Sequence, residues 1–249
     1  QPLLPSLDEL PAVTASRLDR RRDLLSQFDT RLGGLESSGA VDSMSQFQKQ
    51  VFGLLTSPKT RAAFDISRES KVVRQRYGDN LWGNSTLVAR RLVEAGSTFV
   101  TVNWEAKRGS HWDLHGNTFG MLRGHLPILD AMVTSLVEDL KSRGLFDQTL
   151  VVVMGEMGRT PRINAKSGRD HWPQCGFSLL FGGGTRRGCV VGRTDDQAAY
   201  PVERPVSAGD MVATIYQLLG VDPMMTVNDL TGRPVRIAHG GEPVFEAIA

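Results

Sequence analysis

Three loops carry the residues most able to do chemistry. "HWDLHGN" holds His111, Asp113 and His115, "GEMGRTP" holds Glu156 and Arg159, and "GRDHWP" holds Arg169, Asp170 and His171. Imidazole and carboxylate donors together suit a divalent cation of the zinc, manganese or iron type. Asp113, His115, Glu156, Asp170, His171 and His111 are therefore the candidate metal ligands. A single loop histidine is more often a hydrogen-bonded structural group, but here three of the five histidines lie within two residues of an aspartate. His111, Asp113 and His115 alternate, so in an extended segment they share one side. Arg159 and Arg169, the candidate catalytic residues, have two open roles. Their planar guanidinium groups suit bidentate binding of a tetrahedral oxyanion, or they pair with Glu156 and Asp170.

Elements must bring these loops together. "TLVVVM" (149–154) reads as a buried strand, and a carboxylate just beyond it, Glu156, is expected to need a cation because an unpaired charge near a sheet rim is expensive to desolvate. "STFVTVNW" (97–104) reads as an earlier strand and "NTFGMLRGHLPILDAMVTSLVEDLKSRG" (117–144) as a long helix closed by Gly144. Strand, long helix, strand is a βαβ unit, which predicts an α/β fold with a mostly parallel sheet flanked by helices. In such sheets ligands bind beyond the carboxyl ends of the strands, where these loops would fall. "FSLLFGG" (177–183) reads as a third strand, with "GGGTRRG" as a hairpin turn into "CVVG", and "SAGDMVATIYQLLG" (207–220) as a further helix. Before residue 97 the periodicity is helical: 14–32, 41–57, 69–78 and 83–96, the last capped by Gly96. The division expected is a helical part at 1–96 packed on an α/β core at 97–249, one structural domain overall.

Bulk properties exclude several classes. The 249 residues carry 29 Lys plus Arg against 27 Asp plus Glu, a net charge of +2 that gives no reason to expect a nucleic-acid partner. No apolar run approaches the roughly 20 residues of a membrane span. The two cysteines, Cys175 and Cys189, are too few for a disulfide framework and read as small hydrophobic residues. "FGGGTRRG" lacks the Lys and Ser/Thr of a phosphate-binding P-loop. No nucleophile-elbow pattern and no zincin helix are present, which disfavours a self-contained serine hydrolase or metalloprotease.

"DQTLVVVMGEMGRTPRIN", "GRDHWP", "HWDLHGN" and "DLTGRPVRI" resemble the C-terminal half of a bacterial family of sulfatase-like proteins, domain of unknown function 1501, in the alkaline phosphatase superfamily. The resemblance implies an alkaline-phosphatase-like fold truncated at its N-terminus, and a two-metal centre, zinc or manganese, for phosphate or sulfate esters. It also implies export by the twin-arginine route, hence a periplasmic or secreted protein acting on a small-molecule or glycan ester. In that superfamily a strand like "TLVVVT" ends in Asp-His-Gly, both polar residues being ligands. Here Glu156 can stand for the aspartate, but Met157 cannot stand for the histidine, and Asp170 with His171 could supply what is missing. The nucleophile segment expected before the first helices has no counterpart after Gln1, which implies a fragment without the nucleophile. The alternative function is a non-catalytic relative that binds a polyanionic glycan or a protein partner.

Overall fold

The computed structural model describes residues 57–104 and 112–249, together with Arg20 and Asp23. The helices expected at 14–32 and 41–57 lie almost wholly outside the described residues. The chain divides into two compact units, Gln1–Asn103 and Trp104–Ala249.

In the first unit, three helices each start at a polar cap that satisfies otherwise unpaired N–H groups. Ser57 precedes α1 (Pro58–Phe64), with Pro58 in the first turn, where its missing N–H is harmless. Ser70 caps α2 (Lys71–Tyr77). Asn80 caps α3 (Leu81–Glu94), its Oδ1 accepting from the N–H groups of Trp82 and Gly83 at 3.1 and 3.0 Å. A Cβ on Gly83 would stand 2.1 Å from the Tyr77 carbonyl oxygen, so only glycine lets α3 start this close to the end of α2. Around Leu87, fully buried, the unit also buries the Arg90 guanidinium, which is matched by Glu69 at 2.8 Å and Glu94 at 2.6 Å. Arg91 joins Glu69 and donates to the carbonyls of Ala62 and Ala63 at 2.6 and 2.9 Å, tying α1 to α3. Gly96, at φ 103°, ends the segment in the left-handed conformation expected of it.

The second unit is built on α4 (Thr118–Ser142), which ends before Gly144 at φ 68° as the sequence predicts. The strand β1 (Val151–Met154) follows. It pairs antiparallel with β4 (Ser178–Phe181), Val151 opposite Phe181 and Met154 opposite Ser178. Between them the short β2 (Gly158–Arg159) and β3 (His171–Trp172) form their own antiparallel pair. Two more such pairs complete the strands: β5 (Arg193–Thr194) with β6 (Pro201–Glu203), and β7 (Thr226–Asn228) with β8 (Pro234–Arg236). Between these pairs lies α5 (Ala208–Leu218), opened by a capping box in which Ser207 and Asp210 each accept from the other's backbone N–H.

This overturns the mostly parallel, alkaline-phosphatase-like sheet. Among the described residues every sheet is two-stranded and antiparallel. The parallel reading required a strand at 97–104 as the first member of a βαβ unit, and those residues form no strand, with Phe99 73% exposed. It also required a crossover between successive strands, usually a helix. The chain from 155 to 177 instead folds back through the β2–β3 pair, so β4 returns antiparallel to β1. An apolar run specifies a strand but not its partner's direction. Nor is β1 fully buried: Val151 to Val153 are half-buried and Met154 is exposed. The turn at Gly182–Gly184 likewise leads into no strand at 189–192, where Val190 is 90% exposed; Thr185 bridges to Ile248 instead.

Candidate metal centre

The site lies wholly within the second unit, on two segments that the backbone locks together. The first is 112–117. Trp112 packs edge-on against Trp104, ring centroids 5.1 Å apart, and against His125 of α4 at 5.2 Å. Leu114 is buried, and the segment is not extended: tight backbone bonds from the Leu114 N–H to Trp112 and from the His115 N–H to Asp113 bend it, which leaves Asp113 Oδ1 and His115 Nε2 3.0 Å apart. The second segment is the β2–β3 pair and the loop within it. Arg159 stands directly opposite His171 in the ladder, which places both side chains on one face.

Four backbone or side-chain links hold the loop 164–169 against residues 114–118. The N–H of Asn117 donates to Lys166, that of Thr118 to Ser167 and that of Arg169 to Leu114, at 2.9–3.0 Å. Asn164 donates from Nδ2 to the His115 carbonyl at 3.1 Å. Gly168 makes this approach possible, since a Cβ there would meet the His115 carbonyl carbon at 2.0 Å.

These constraints focus three donors on one oxygen. Asp113 Oδ1 lies 2.7 Å from Arg159 Nη2, 2.7 Å from His171 Nε2 and 3.0 Å from His115 Nε2. The two imidazoles sit side by side, with centroids 4.9 Å apart. His115 turns its other nitrogen, Nδ1, to Asp170 Oδ1 at 2.8 Å. Among the described residues, Asp113, His115 and His171 form the one group of three or more that could hold a metal ion, each offering a ligand atom within 4.8 Å of the others.

The remaining predicted residues occupy different places. Asp170 is beside this group rather than in it, joined through His115. Glu156 is exposed and outside the group. Arg169 donates from Nη1 to the carbonyls of Thr160 and Pro161 at 2.6 and 2.7 Å, which braces the loop. Arg159 combines its bond to Asp113 with one to the Trp112 carbonyl at 3.2 Å. His111 lies outside the described residues. Sequence reasoning missed Asn164, Gly168 and Trp112. The turn composition of "NAKSG" is the signal that could have pointed to the first two.

The cluster governs the acidity of its carboxylates. The hydrogen bond from His171, then that from Arg159, holds the Asp113 carboxyl down to about 2 against an ordinary value of 3.8. Asp170 is also lowered, by hydrogen bonds from His115 and then Asn164. Because the folded value of Asp113 is below the unfolded one, its contribution to stability is present above about pH 3.8 and lost as pH falls toward 2. A carbon-13 titration of the folded protein should place the Asp113 carboxyl midpoint near 2. Arg159→Ala should raise it, and a parent midpoint at 3.8 would show that the convergence does not form.

Comparison with curated proteins and with solved structures gave no match. A family model, however, matches residues 3–248, almost the whole chain including every residue of the site, and the protein therefore belongs to the family described as protein of unknown function DUF1501.

Proposed function

We infer that the protein is a metal-dependent hydrolase of phosphate or sulfate esters, with Asp113, His115 and His171 as the ligands held ready in this chain. The single observation behind this reading is the approach of both Nε2 atoms to Asp113 Oδ1 at 2.7 and 3.0 Å. Donors sharing an ion with bonds of about 2.1 Å stand roughly 3.0–3.4 Å apart, and the three ligand atoms here all lie within 4.8 Å of one another. Two imidazoles and a carboxylate, without thiolate, match zinc or manganese. When bound, such an ion supplies Lewis acidity and neutralises charge on a transferring oxyanion.

The chain's own groups prepare the site. Arg159 donates from Nη2 to both the Asp113 carboxylate and the Trp112 carbonyl, which fixes the carboxylate's position. The β2–β3 register holds His171 on the same face. Kinship with the alkaline phosphatase superfamily belongs to this reading as well, supported by "HWDLHGN" and "GRDHWP" and not by the sheet; it supplies the substrate class, esters of tetrahedral oxyanions.

Purified protein should contain at least one equivalent of zinc or manganese by mass spectrometry. Full-length protein should hydrolyse an aryl phosphate or aryl sulfate, with loss on chelation and recovery on adding the metal back. Absence of metal, with hydrolysis indifferent to chelator, would overturn the reading. Bound metal without hydrolysis of either ester would assign the site to binding of a polyanionic glycan or protein partner.

A further inference from the structure

The hydrogen bonds around His115 bear on which ring nitrogen is turned to the site and which is held by a partner outside it. Asn164 provides the starting point. Its Oδ1 accepts from the backbone N–H groups of Lys166 and Gly168 at 3.0 and 2.9 Å. Those partners can only donate, so the amide cannot be flipped, and Nδ2 must be the atom that faces His115 and Asp170. From there Nδ2 donates to the His115 carbonyl at 3.1 Å and to Asp170 Oδ1 at 3.2 Å.

Asp170 is held at its backbone too. Its N–H donates to Thr160 Oγ1 at 3.1 Å and its carbonyl accepts from the Thr160 N–H at 2.9 Å. Its Oδ1 is thus presented to His115 Nδ1 at 2.8 Å in a fixed direction. An ionised carboxylate only accepts, so Nδ1 must carry the proton. With the Nδ1 proton held by Asp170, the imidazole turns Nε2 toward Asp113 and His171. Nε2, 3.0 Å from Asp113 Oδ1, is the atom an incoming cation would take, displacing any proton shared with that carboxylate.

We propose that Asp170 and Asn164 are a positioning pair that sets the tautomer of His115 and so its strength as a ligand, and that Asp170 is not itself a ligand. The proposal rests on the metal-centre reading given above. A histidine ligand commonly donates its second N–H to a carboxylate, and removing such a partner lowers metal affinity about 10–100-fold. Without Asp170, the ring is free to move its proton to Nε2, the atom needed for coordination.

The test measures zinc(II) affinity by competition with a chromophoric chelator, and the His115 tautomer by nitrogen-15 NMR of metal-free protein. Parent protein should show His115 protonated at Nδ1. Asp170→Ala should shift it toward the Nε2–H form and weaken zinc binding roughly 10–100-fold at unchanged stoichiometry. Asn164→Ala should move both readouts the same way by less, and Asp170→Asn, which keeps an acceptor oxygen, should restore part of the affinity.

A parent His115 with no proton on Nδ1 would overturn the proposal without any variant having to fold. Unchanged affinity in Asp170→Ala, or a drop in stoichiometry with the tautomer unmoved, would overturn it as well. If the parent binds no zinc, the metal-centre reading fails separately, and the tautomer shift still decides what Asp170 does.

Discussion

Asp113→Ala is expected to strip the protein of bound zinc or manganese while leaving it folded. One oxygen of Asp113 faces three nitrogen donors, from Arg159, His171 and His115. Removing it takes away the only carboxylate of the ligand group. The Arg159 guanidinium remains behind, an uncompensated positive charge beside any incoming cation. The loss of metal affinity should therefore exceed the roughly 10–100-fold typical of an outer partner such as Asp170. Asp113, His115 and His171 are each 47% exposed, so the core does not depend on this side chain and the melting temperature should stay close to that of the parent. Metal content by mass spectrometry, alongside a thermal melt by circular dichroism, checks both halves. Glu156→Ala makes the informative control, because Glu156 is exposed and outside the ligand group, and its metal content should match the parent's. Full metal retention in Asp113→Ala would remove the site assignment.

Gly168→Ala should damage fold and site together. The added methyl would lie 2.0 Å from the His115 carbonyl carbon, 2.1 Å from its oxygen and 2.3 Å from the Gly116 nitrogen. All three are backbone atoms, so no side chain can swing aside. The loop would have to separate from residues 114–118 and break the bonds that join them: Asn117 to Lys166, Thr118 to Ser167, and Arg169 to Leu114. Overpacking a well-packed position costs about 1–3 kcal/mol, and a collision with backbone belongs at or above the top of that range. At about 3 kcal/mol, a chain of this size should melt roughly 6–12 °C lower. The same displacement carries Asn164 and Asp170 away from His115, so zinc affinity should fall even in the molecules that stay folded. A melting temperature and zinc affinity equal to the parent's would mean that the loop does not pack as described.

Much of the local structure was legible. The helices at Lys71–Tyr77, Leu81–Glu94, Thr118–Ser142 and Ala208–Leu218 stand where apolar periodicity and caps indicate, because those signals act within a few residues of the chain. The strands at 151–154 and 178–181 were legible as strands for the same reason. Their pairing was not, because strand direction depends on how the intervening residues return. Equally, 97–104 has the composition of a strand, but the ladder that would make it one requires a partner, and composition does not supply one.

Residue types alone determined that imidazole and carboxylate groups gather in "HWDLHGN" and "GRDHWP". They determined the helices and their caps as well. Only the tertiary structure decided which donors meet: Asp113 with His115 and His171, with Glu156 apart, Asp170 behind His115, and Arg169 bound to backbone carbonyls. The reason is range. Propensity and periodicity are properties of neighbouring residues, whereas joining residue 113 to residue 171 depends on a glycine that lets two backbones touch, an asparagine that links them, and a two-residue ladder that puts Arg159 and His171 on one face.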